Sequence, residues 1–304
     1  MKIIVKVFRI FPCIAIIAIL PVILTLTVTP LSQGAEIDQS KWTELKRAVN
    51  LPNNQTLKYV ELGDPKGPPV ILLHGYTDNS RSWSLVAPYL KNFRTFSIDQ
   101  RGHGDSDKPE CCYTLMDMAF DVKLFLDALK IEKASVVGHS LGSMVAQVFA
   151  ANYPSRIKKL VLIGSTIKPA TKRGDWLWGA IMGLQAPIDP KGEFMKAWYA
   201  NPNPVDVAFL EREMAESAAV PIHVWRGILK ELLVSDFGLL APDIKAETLI
   251  VWGDQDGFFN EQAQNDLRTA LPMAQFKAFA GLGHNLMWEN PVDVGNVIAG
   301  FLLK

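Results

Sequence analysis

The pentapeptide Gly138-His139-Ser140-Leu141-Gly142 decides the fold of this chain. A short apolar run over 134–137 comes directly before it, and small apolar residues at helical spacing follow over 143–150. This pattern predicts a buried parallel strand, a sharp turn at Ser140 and then a helix. Such a turn holds the serine hydroxyl clear of the sheet at a helix N-terminus, where free N–H groups and the helix dipole stabilise negative charge. The stretch therefore predicts a nucleophilic serine.

Length and charge limit the function classes. The chain has 304 residues, enough for one large domain with or without an insertion. Its 31 Lys and Arg residues are balanced by 31 Asp and Glu residues of interspersed sign. We therefore expect no nucleic-acid partner, because such proteins carry a concentrated basic surface.

The N-terminal segment has the pattern of a signal peptide. Basic residues precede an apolar run over 10–28, and small residues follow at 32–35. We expect residues 1–35 to be cleaved after Gly34 or Ala35, giving a secreted or periplasmic protein. The alternative is an uncleaved membrane anchor through 10–28. Cleavage would remove three basic residues and no acidic one, leaving 28 basic against 31 acidic residues, so no membrane contact is expected of the mature chain.

From residue 55 onwards, strand-like apolar runs alternate with helical patterns. This alternation predicts an α/β fold with a doubly wound, mostly parallel sheet covered on both faces. The predicted strands span 55–62, 70–73, 93–98, 134–137, 160–163, 246–252 and 275–279, and the predicted helices span 81–90, 116–129, 143–152, 261–271 and 291–303. Sites in such sheets form at the carboxyl ends of the strands, where polar loops follow three of these runs.

The alternation stops over 167–242, where prolines and helix formers replace strand-like runs. We interpret this region as a helical lid, between a first core part over 36–166 and a second over 243–304. Large apolar side chains in the lid predict a pocket that prefers apolar or aromatic substrate groups. Its tryptophans are Trp176, Trp178, Trp198 and Trp225.

A serine nucleophile needs a base, and the base needs an orienting acid. In chains with a G-x-S-x-G elbow the order is serine, acid, histidine, and of the five histidines only His284 follows every candidate acid. Two acids follow the predicted strand over 246–252. Asp254 adjoins the strand end and is placed to cap the turn. Asp256 lies farther out, where the loop can return towards His284, and we favour it.

The three cysteines predict no metal site. Cys13 belongs to the N-terminal segment. Cys111 and Cys112 are adjacent, so they can form a ring disulfide, pair between molecules or remain free. No second cluster of Cys or His accompanies them, and we expect neither a metal nor a cofactor.

Taken together, these stretches resemble the α/β-hydrolase superfamily and are most similar to its lid-bearing serine esterase-like members. The resemblance covers about 57–303 apart from the lid, and it rests on His74-Gly75-Tyr76, Asp99-Gln100-Arg101-Gly102-His103-Gly104-Asp105-Ser106, the pentapeptide, Gly253-Asp254-Gln255-Asp256 and Gly283-His284. It implies that Asp256 is the acid of a triad with Ser140 and His284. It also implies an oxyanion hole formed by the backbone N–H groups of Tyr76 and Leu141. Asp99 and Arg101 match positions that usually hold loop structure.

The resemblance implies a serine hydrolase that cleaves a carboxylic ester or lactone through an acyl-enzyme. Haloalkane dehalogenases and epoxide hydrolases of this fold carry aspartate at the position of Ser140, so those activities are not expected. Two alternatives remain. One is a hydrolase of carbon–carbon bonds with the same triad, and the other is a non-catalytic ligand-binding member.

Overall fold

The structure is a computed structural model that describes residues 37–169 and 172–304. The predicted signal peptide or anchor over 1–35 lies outside these residues. Within the described ranges, no helix is both long enough and apolar enough to cross a membrane.

Eight strands form a single sheet in the described part of the chain. They are β1 (Lys46–Asn50), β2 (Thr56–Gly63), β3 (Pro69–Leu73), β4 (Arg94–Asp99), β5 (Ala134–His139), β6 (Ile157–Ile163), β7 (Glu247–Gly253) and β8 (Gln275–Phe279). Their order across the sheet is β1-β2-β4-β3-β5-β6-β7-β8. β2 pairs antiparallel with β1 and β4, and all other neighbours pair parallel. The predicted mostly parallel sheet is confirmed.

Helices cover the sheet. They are α1 (Leu115–Ala128), α2 (Leu141–Asn152), α3 (Trp176–Gly183), α4 (Glu193–Trp198), α5 (Val207–Ala218), α6 (Ile222–Leu232), α7 (Glu261–Ala270), α8 (Leu286–Glu289) and α9 (Pro291–Leu303). Local sequence explains where two of these helices begin. Thr114 and Asp117 form a reciprocal capping box at α1, and Pro291 occupies the first turn of α9, where its missing N–H costs nothing.

The central strands are buried on both faces. Every residue of β5 is buried, as is every residue of β3 except the first. This explains why their sequences are continuous apolar runs rather than alternating ones. Leu73 is in register with Gly138, and Gly138 with Leu162. The carboxyl ends of β3, β5 and β6 are therefore level, and the loops that follow them meet at one edge.

One predicted helix is wrong. Instead of a helix over 81–90, the chain forms two short 3₁₀ turns, Ser80–Trp83 and Ala87–Leu90. Pro88 lies in the first turn of the second element, and its ring nitrogen cannot donate the hydrogen bond that would continue a helix from the first. Two short turns result.

The α3–α6 segment lies between β6 and β7, within the region predicted to be a helical insertion. Its most strongly amphipathic helix is α6, whose apolar face is buried through Val224, Trp225, Ile228, Leu229 and Leu232. That face packs into the same core as the sheet residues, so this part of the insertion is anchored to the main body of the fold.

Candidate active site

Ser140 lies on a strained turn between β5 and α2. Its φ angle is +50°, a left-handed conformation that costs free energy for any residue with a side chain. Its backbone N–H donates to the carbonyl of Ile163 at 2.9 Å, which ties the turn to the neighbouring strand. A Cβ atom at Gly142 would overlap the carbonyl oxygen of Leu73. The turn therefore requires glycine at that position.

His284 follows β8 and is paired with Asp256. Its Nδ1 atom lies 2.9 Å from Asp256 Oδ2. The other carboxylate oxygen accepts the backbone N–H groups of Phe258 at 2.8 Å and Phe259 at 3.0 Å. Both phenylalanine rings also pack against the imidazole, with centroids 4.8 and 5.4 Å away. The hydrogen bond to Asp256 and the packing of two phenylalanine rings thus fix the orientation of the His284 imidazole.

The charge state of Asp256 follows from these contacts. Burial acts to raise its pKa, but the nearby His284 and the hydrogen bonds from His284, Phe258 and Phe259 outweigh it and hold the pKa below the ordinary value. The carboxylate is therefore ionised at neutral pH and accepts the Nδ1–H of His284. That tautomer leaves Nε2 free to act as a base.

Instead of capping its own turn, as its position suggested, Asp254 joins two loops. Its carboxylate accepts the backbone N–H of Gly281 at 2.7 Å, which joins the loop after β7 to the loop after β8. Asp254 is exposed, and the structure brings Asp256, not Asp254, to His284.

Ser140 and His284 line one cavity of about 100 Å³, together with Tyr76 and Leu141. Leu141 is the first residue of α2, so its backbone N–H is one of the free donors at a helix start. Asp256 lies behind His284. Most other walls are apolar, formed by Met144, Pro169, Leu177, Trp198, Leu232, Phe258 and Phe259.

The other four histidines contact backbone groups of loops. His74 Nε2 accepts the N–H of Gln100 at 3.0 Å, which joins the loops after β3 and β4, and burial holds its pKa well below the ordinary value. His139 Nε2 lies 3.1 Å from the backbone carbonyl of His284. The rings of His103 and His223 contact the carbonyls of Arg101 and Pro109, respectively.

Arg101 and Asp99 have the structural roles that the resemblance implied. Arg101 forms a two-point ion pair with Asp121 at 2.6 and 2.7 Å. Asp99 is buried, accepts the backbone N–H of Ser80 and pairs with Lys46. Both hold the loop after β4 in place.

Cys111 and Cys112 are joined to each other by a disulfide, the first of the three states considered for them. Among the described residues, no group of three or more His, Cys, Asp or Glu side chains is arranged to hold a metal ion.

The sequence did not identify Asp78 and Tyr199 as site residues, although both line the cavity. The hydroxyl of Tyr199 donates to Asp78 Oδ1 at 2.8 Å. Asp78 could have been suspected, because it lies in the polar loop at the carboxyl end of β3. Tyr199 gives no comparable signal, since its partner lies 121 residues earlier in the chain.

Comparison with known proteins identifies the family of this chain. A family model described as the alpha/beta hydrolase fold matches residues 68–291. The 2-hydroxy-6-oxononadienedioate/2-hydroxy-6-oxononatrienedioate hydrolase of Paraburkholderia phymatum is 30% identical, over 77% of this chain and 86% of that protein. Lipase 3 of a Moraxella species is 24% identical, over 91% of this chain and 90% of the lipase. The solved structure of the enol-lactonase from Burkholderia xenovorans matches with a TM-score of 0.72 at 21% identity, over 85% of this chain and all of that one. The chain belongs to the family of hydrolases with the α/β-hydrolase fold.

Proposed function

We propose that this protein is a serine hydrolase that cleaves small carboxylic esters or lactones. The observation that carries the proposal is the pairing of His284 with a buried, ionised Asp256 beside the cavity that Ser140 lines. Simple ligand binding needs no such pairing, whereas a serine nucleophile needs a base held in one tautomer.

In the proposed reaction these groups act in turn. His284 Nε2 removes the proton from Ser140 Oγ as that oxygen attacks the carbonyl carbon. The backbone N–H groups of Tyr76 and Leu141 stabilise the resulting oxyanion, an effect of about 3–4 kcal/mol per donor in comparable enzymes. His284 then gives its proton to the departing alkoxide. Water, activated in the same way, releases the acid from the acyl-enzyme.

The cavity favours a small ester over the substrates named for the relatives. A dioate carries two carboxylates, yet no Lys or Arg side chain lines the cavity in the described ranges. The volume of about 100 Å³ is also below the roughly 300–1,000 Å³ of pockets that enclose drug-sized ligands. A short acyl chain fits such a space, and a long one does not fit without movement of the insertion.

The insertion acts as a lid in this proposal. Three of its helices contribute cavity walls through Leu177, Trp198 and Leu232. These side chains wall the cavity where the insertion meets the core. We also propose that residues 1–35 direct export of the chain.

Initial rates on three substrate types test the proposed function. We expect hydrolysis of 4-nitrophenyl butanoate or γ-butyrolactone with kcat of about 1–10³ s⁻¹. We expect kcat/KM to be at least about tenfold lower for 4-nitrophenyl hexadecanoate and for a 2-hydroxy-6-oxodienedioate, because the cavity is small and lacks cationic groups. A folded protein that hydrolyses neither the short ester nor the lactone contradicts the proposal. Selective cleavage of the dienedioate identifies a carbon–carbon bond hydrolase instead.

A further inference from the structure

Asp78 is a buried carboxyl group beside the proposed oxyanion hole. It lines the same cavity as Ser140, Tyr76 and His284. Its backbone N–H donates to the carbonyl of Gly75 at 3.3 Å, and a Cβ atom added to Gly75 would lie 2.6 Å from Asp78 Oδ2. The turn thus folds the carboxyl group back onto the residue that directly precedes Tyr76, whose backbone N–H is one of the two proposed oxyanion donors.

The contacts of Asp78 supply hydrogen bonds but no permanent positive charge. Its Oδ1 atom accepts the hydroxyl of Tyr199 at 2.8 Å, and its Oδ2 atom lies 3.4 Å from the hydroxyl of Ser82. No Lys or Arg side chain pairs with Asp78 among the residues that the structure describes. Arg81, in the same loop, is bonded to the carboxylate of Glu216 instead. An ionised Asp78 is therefore buried without a counter-ion, which costs free energy.

His139, at the end of β5, faces Asp78 as a neutral ring. A carbonyl oxygen can only accept, so the contact of His139 Nε2 with the backbone carbonyl of His284 places the ring proton on Nε2. Burial, reinforced by the nearby His284, holds the pKa of His139 well below its ordinary value, so Nδ1 carries no proton. This nitrogen lies 3.9 Å from Asp78 Oδ2. A lone pair that faces a carboxyl oxygen favours the protonated form of that oxygen.

A second buried acid, Glu213 of α5, also disfavours a negative charge on Asp78. Its carboxyl accepts the backbone N–H of Asn79 at 3.2 Å. Burial and the neighbouring Asp78 raise the pKa of Glu213 well above its ordinary value, and burial raises the pKa of Asp78 to about 7. The titratable groups that face Asp78 from neighbouring elements are Tyr199 after α4, Glu213 of α5, His139 of β5 and His284 after β8.

We infer that the carboxyl group of Asp78 must carry its proton for full activity, because the oxyanion forms in the same cavity. The inference rests on the proposed function. The N–H groups of Tyr76 and Leu141 stabilise one negative charge, and a carboxylate beside them opposes that charge in a buried, mostly apolar cavity. The positive charge that forms on His284 already has Asp256 as its counter-ion, so it gains little from a second carboxylate. Asp78 acts through its charge and takes no part in the proton transfers.

The pH profile of kcat tests this inference. Hydrolysis of 4-nitrophenyl butanoate, corrected for the uncatalysed rate, is measured between pH 5.5 and pH 9. For the wild-type protein we expect kcat to fall about fivefold or more from pH 7 to pH 9, as Asp78 ionises. Both acylation and deacylation pass through an oxyanion, so kcat reports this fall whichever step limits the rate.

The variant Asp78→Asn keeps the shape of the side chain and is neutral at every pH. Its carbonyl oxygen still accepts from Tyr199, and its amide N–H faces the free nitrogen of His139, as the proton of the neutral acid does. We expect kcat of this variant to change less than about twofold between pH 7 and pH 9. Glu213→Gln, which neutralises a buried acid outside the cavity lining, is the matched control and keeps the wild-type fall. A purely structural role for Asp78 would lower kcat by the same factor at every pH.

Inhibition by 1,1,1-trifluorohexan-2-one examines the oxyanion without turnover. Ser140 Oγ adds to the carbonyl carbon, the electron pair of the carbonyl bond becomes an oxyanion, and the serine proton passes to His284 Nε2. From pH 7 to pH 9 we expect the wild-type inhibition constant to rise at least about fivefold more than that of Asp78→Asn, because only the wild type gains a carboxylate beside the oxyanion.

A wild-type kcat that is level from pH 7 to pH 9, or a fall that persists in Asp78→Asn, overturns the inference, while turnover at pH 7 still supports the proposed function. A level profile in Glu213→Gln beside a retained fall in Asp78→Asn assigns the titration to Glu213 and also overturns it. Absence of ester turnover at every pH overturns the proposed function, and this inference with it.

Discussion

Two aspartates in the loop after β7 lie two residues apart in sequence and have different surroundings. Asp256 is buried and reaches His284, whereas Asp254 is exposed and caps the adjoining loop. The difference arises because the chain turns back after Gly253, with the N–H of Asp256 donating to the carbonyl of Gly253 at 3.1 Å. That turn directs the side chain of Asp256 towards the imidazole.

The two acids should therefore respond differently to the same change. In Asp256→Asn the amide favours the tautomer of His284 with the proton on Nε2, which cannot act as a base. We expect kcat for 4-nitrophenyl butanoate to fall about 10³–10⁴-fold. In Asp254→Asn we expect a change of less than about threefold, because the carbonyl oxygen still accepts from Gly281. Steady-state kinetics on both variants checks this, and the opposite ranking would assign the orienting role to Asp254.

The pairing of Asp256 with His284, beside the cavity that Ser140 lines, was predictable because the order and loop positions of these residues are visible in the sequence. The cavity position of Asp78 was predictable only in part: its place in the polar loop after β3 is visible in the sequence, but its burial and its contact with Tyr199 from a distant element are not. A carboxylate in a surface loop and one in a cavity look alike in sequence. What distinguishes them here is the packing of the insertion over the loop after β3.

At the scale of elements, the insertion supports the loop that carries Tyr76, one of the two proposed oxyanion donors. The ring nitrogen of Trp198 donates to the hydroxyl of Thr77 at 3.1 Å, and the hydroxyl of Tyr76 donates to the backbone carbonyl of Trp225. Thr77 has a φ angle of +69°, a conformation that persists only where neighbouring groups hold it. The insertion thus holds the loop after β3 in place, in addition to forming part of the cavity wall.

The tryptophans of the insertion should have unequal effects on substrate choice. Trp198 lines the cavity, whereas 62% of the surface of Trp176 is exposed. We expect Trp198→Ala to change the relative kcat/KM among 4-nitrophenyl esters of two to eight carbons by about tenfold or more, because it enlarges the acyl space. Trp176→Ala, a matched control in the same insertion, should preserve the wild-type ranking.

An unchanged ranking in Trp198→Ala would show that the ring only packs the insertion. An equal shift in Trp176→Ala would show that the effect is not local to the cavity.

The sequence predicted the insertion and its aromatic content, but not which rings face the cavity. Four tryptophans at irregular spacing give no periodicity that separates a buried face from an exposed one. The false prediction of a helix over 81–90 has a simpler origin. Pro88 interrupts the stretch, so two short 3₁₀ turns form in place of one helix.

At the scale of the whole molecule, the topology gathers residues that are far apart in sequence. β3 and β5 are neighbours in the sheet, and their following loops supply Tyr76 and Ser140. The loops after β7 and β8 supply Asp256 and His284. The parallel arrangement was predictable from the alternation of strands and helices. The order of the strands was not, because it depends on crossover connections that leave no local pattern.

The proposed export of the chain predicts a new N-terminus. If residues 1–35 are a signal peptide, the protein recovered from the periplasm or medium should begin near Ala35 or Glu36, because small residues at 32–35 suit a signal peptidase. N-terminal sequencing measures this. Finding Met1 on membrane-associated protein would instead support an uncleaved anchor through 10–28.

The central claim is that Ser140 is the nucleophile, and labelling by diethyl 4-nitrophenyl phosphate tests it most directly. Attack by Ser140 Oγ forms an oxygen–phosphorus bond and expels 4-nitrophenolate, while His284 takes the serine proton. We predict one 4-nitrophenolate released per chain and one diethylphosphoryl group on the peptide that contains Ser140, with neither seen in Ser140→Ala. A label at another residue, or no label on the folded wild-type protein, would contradict the account.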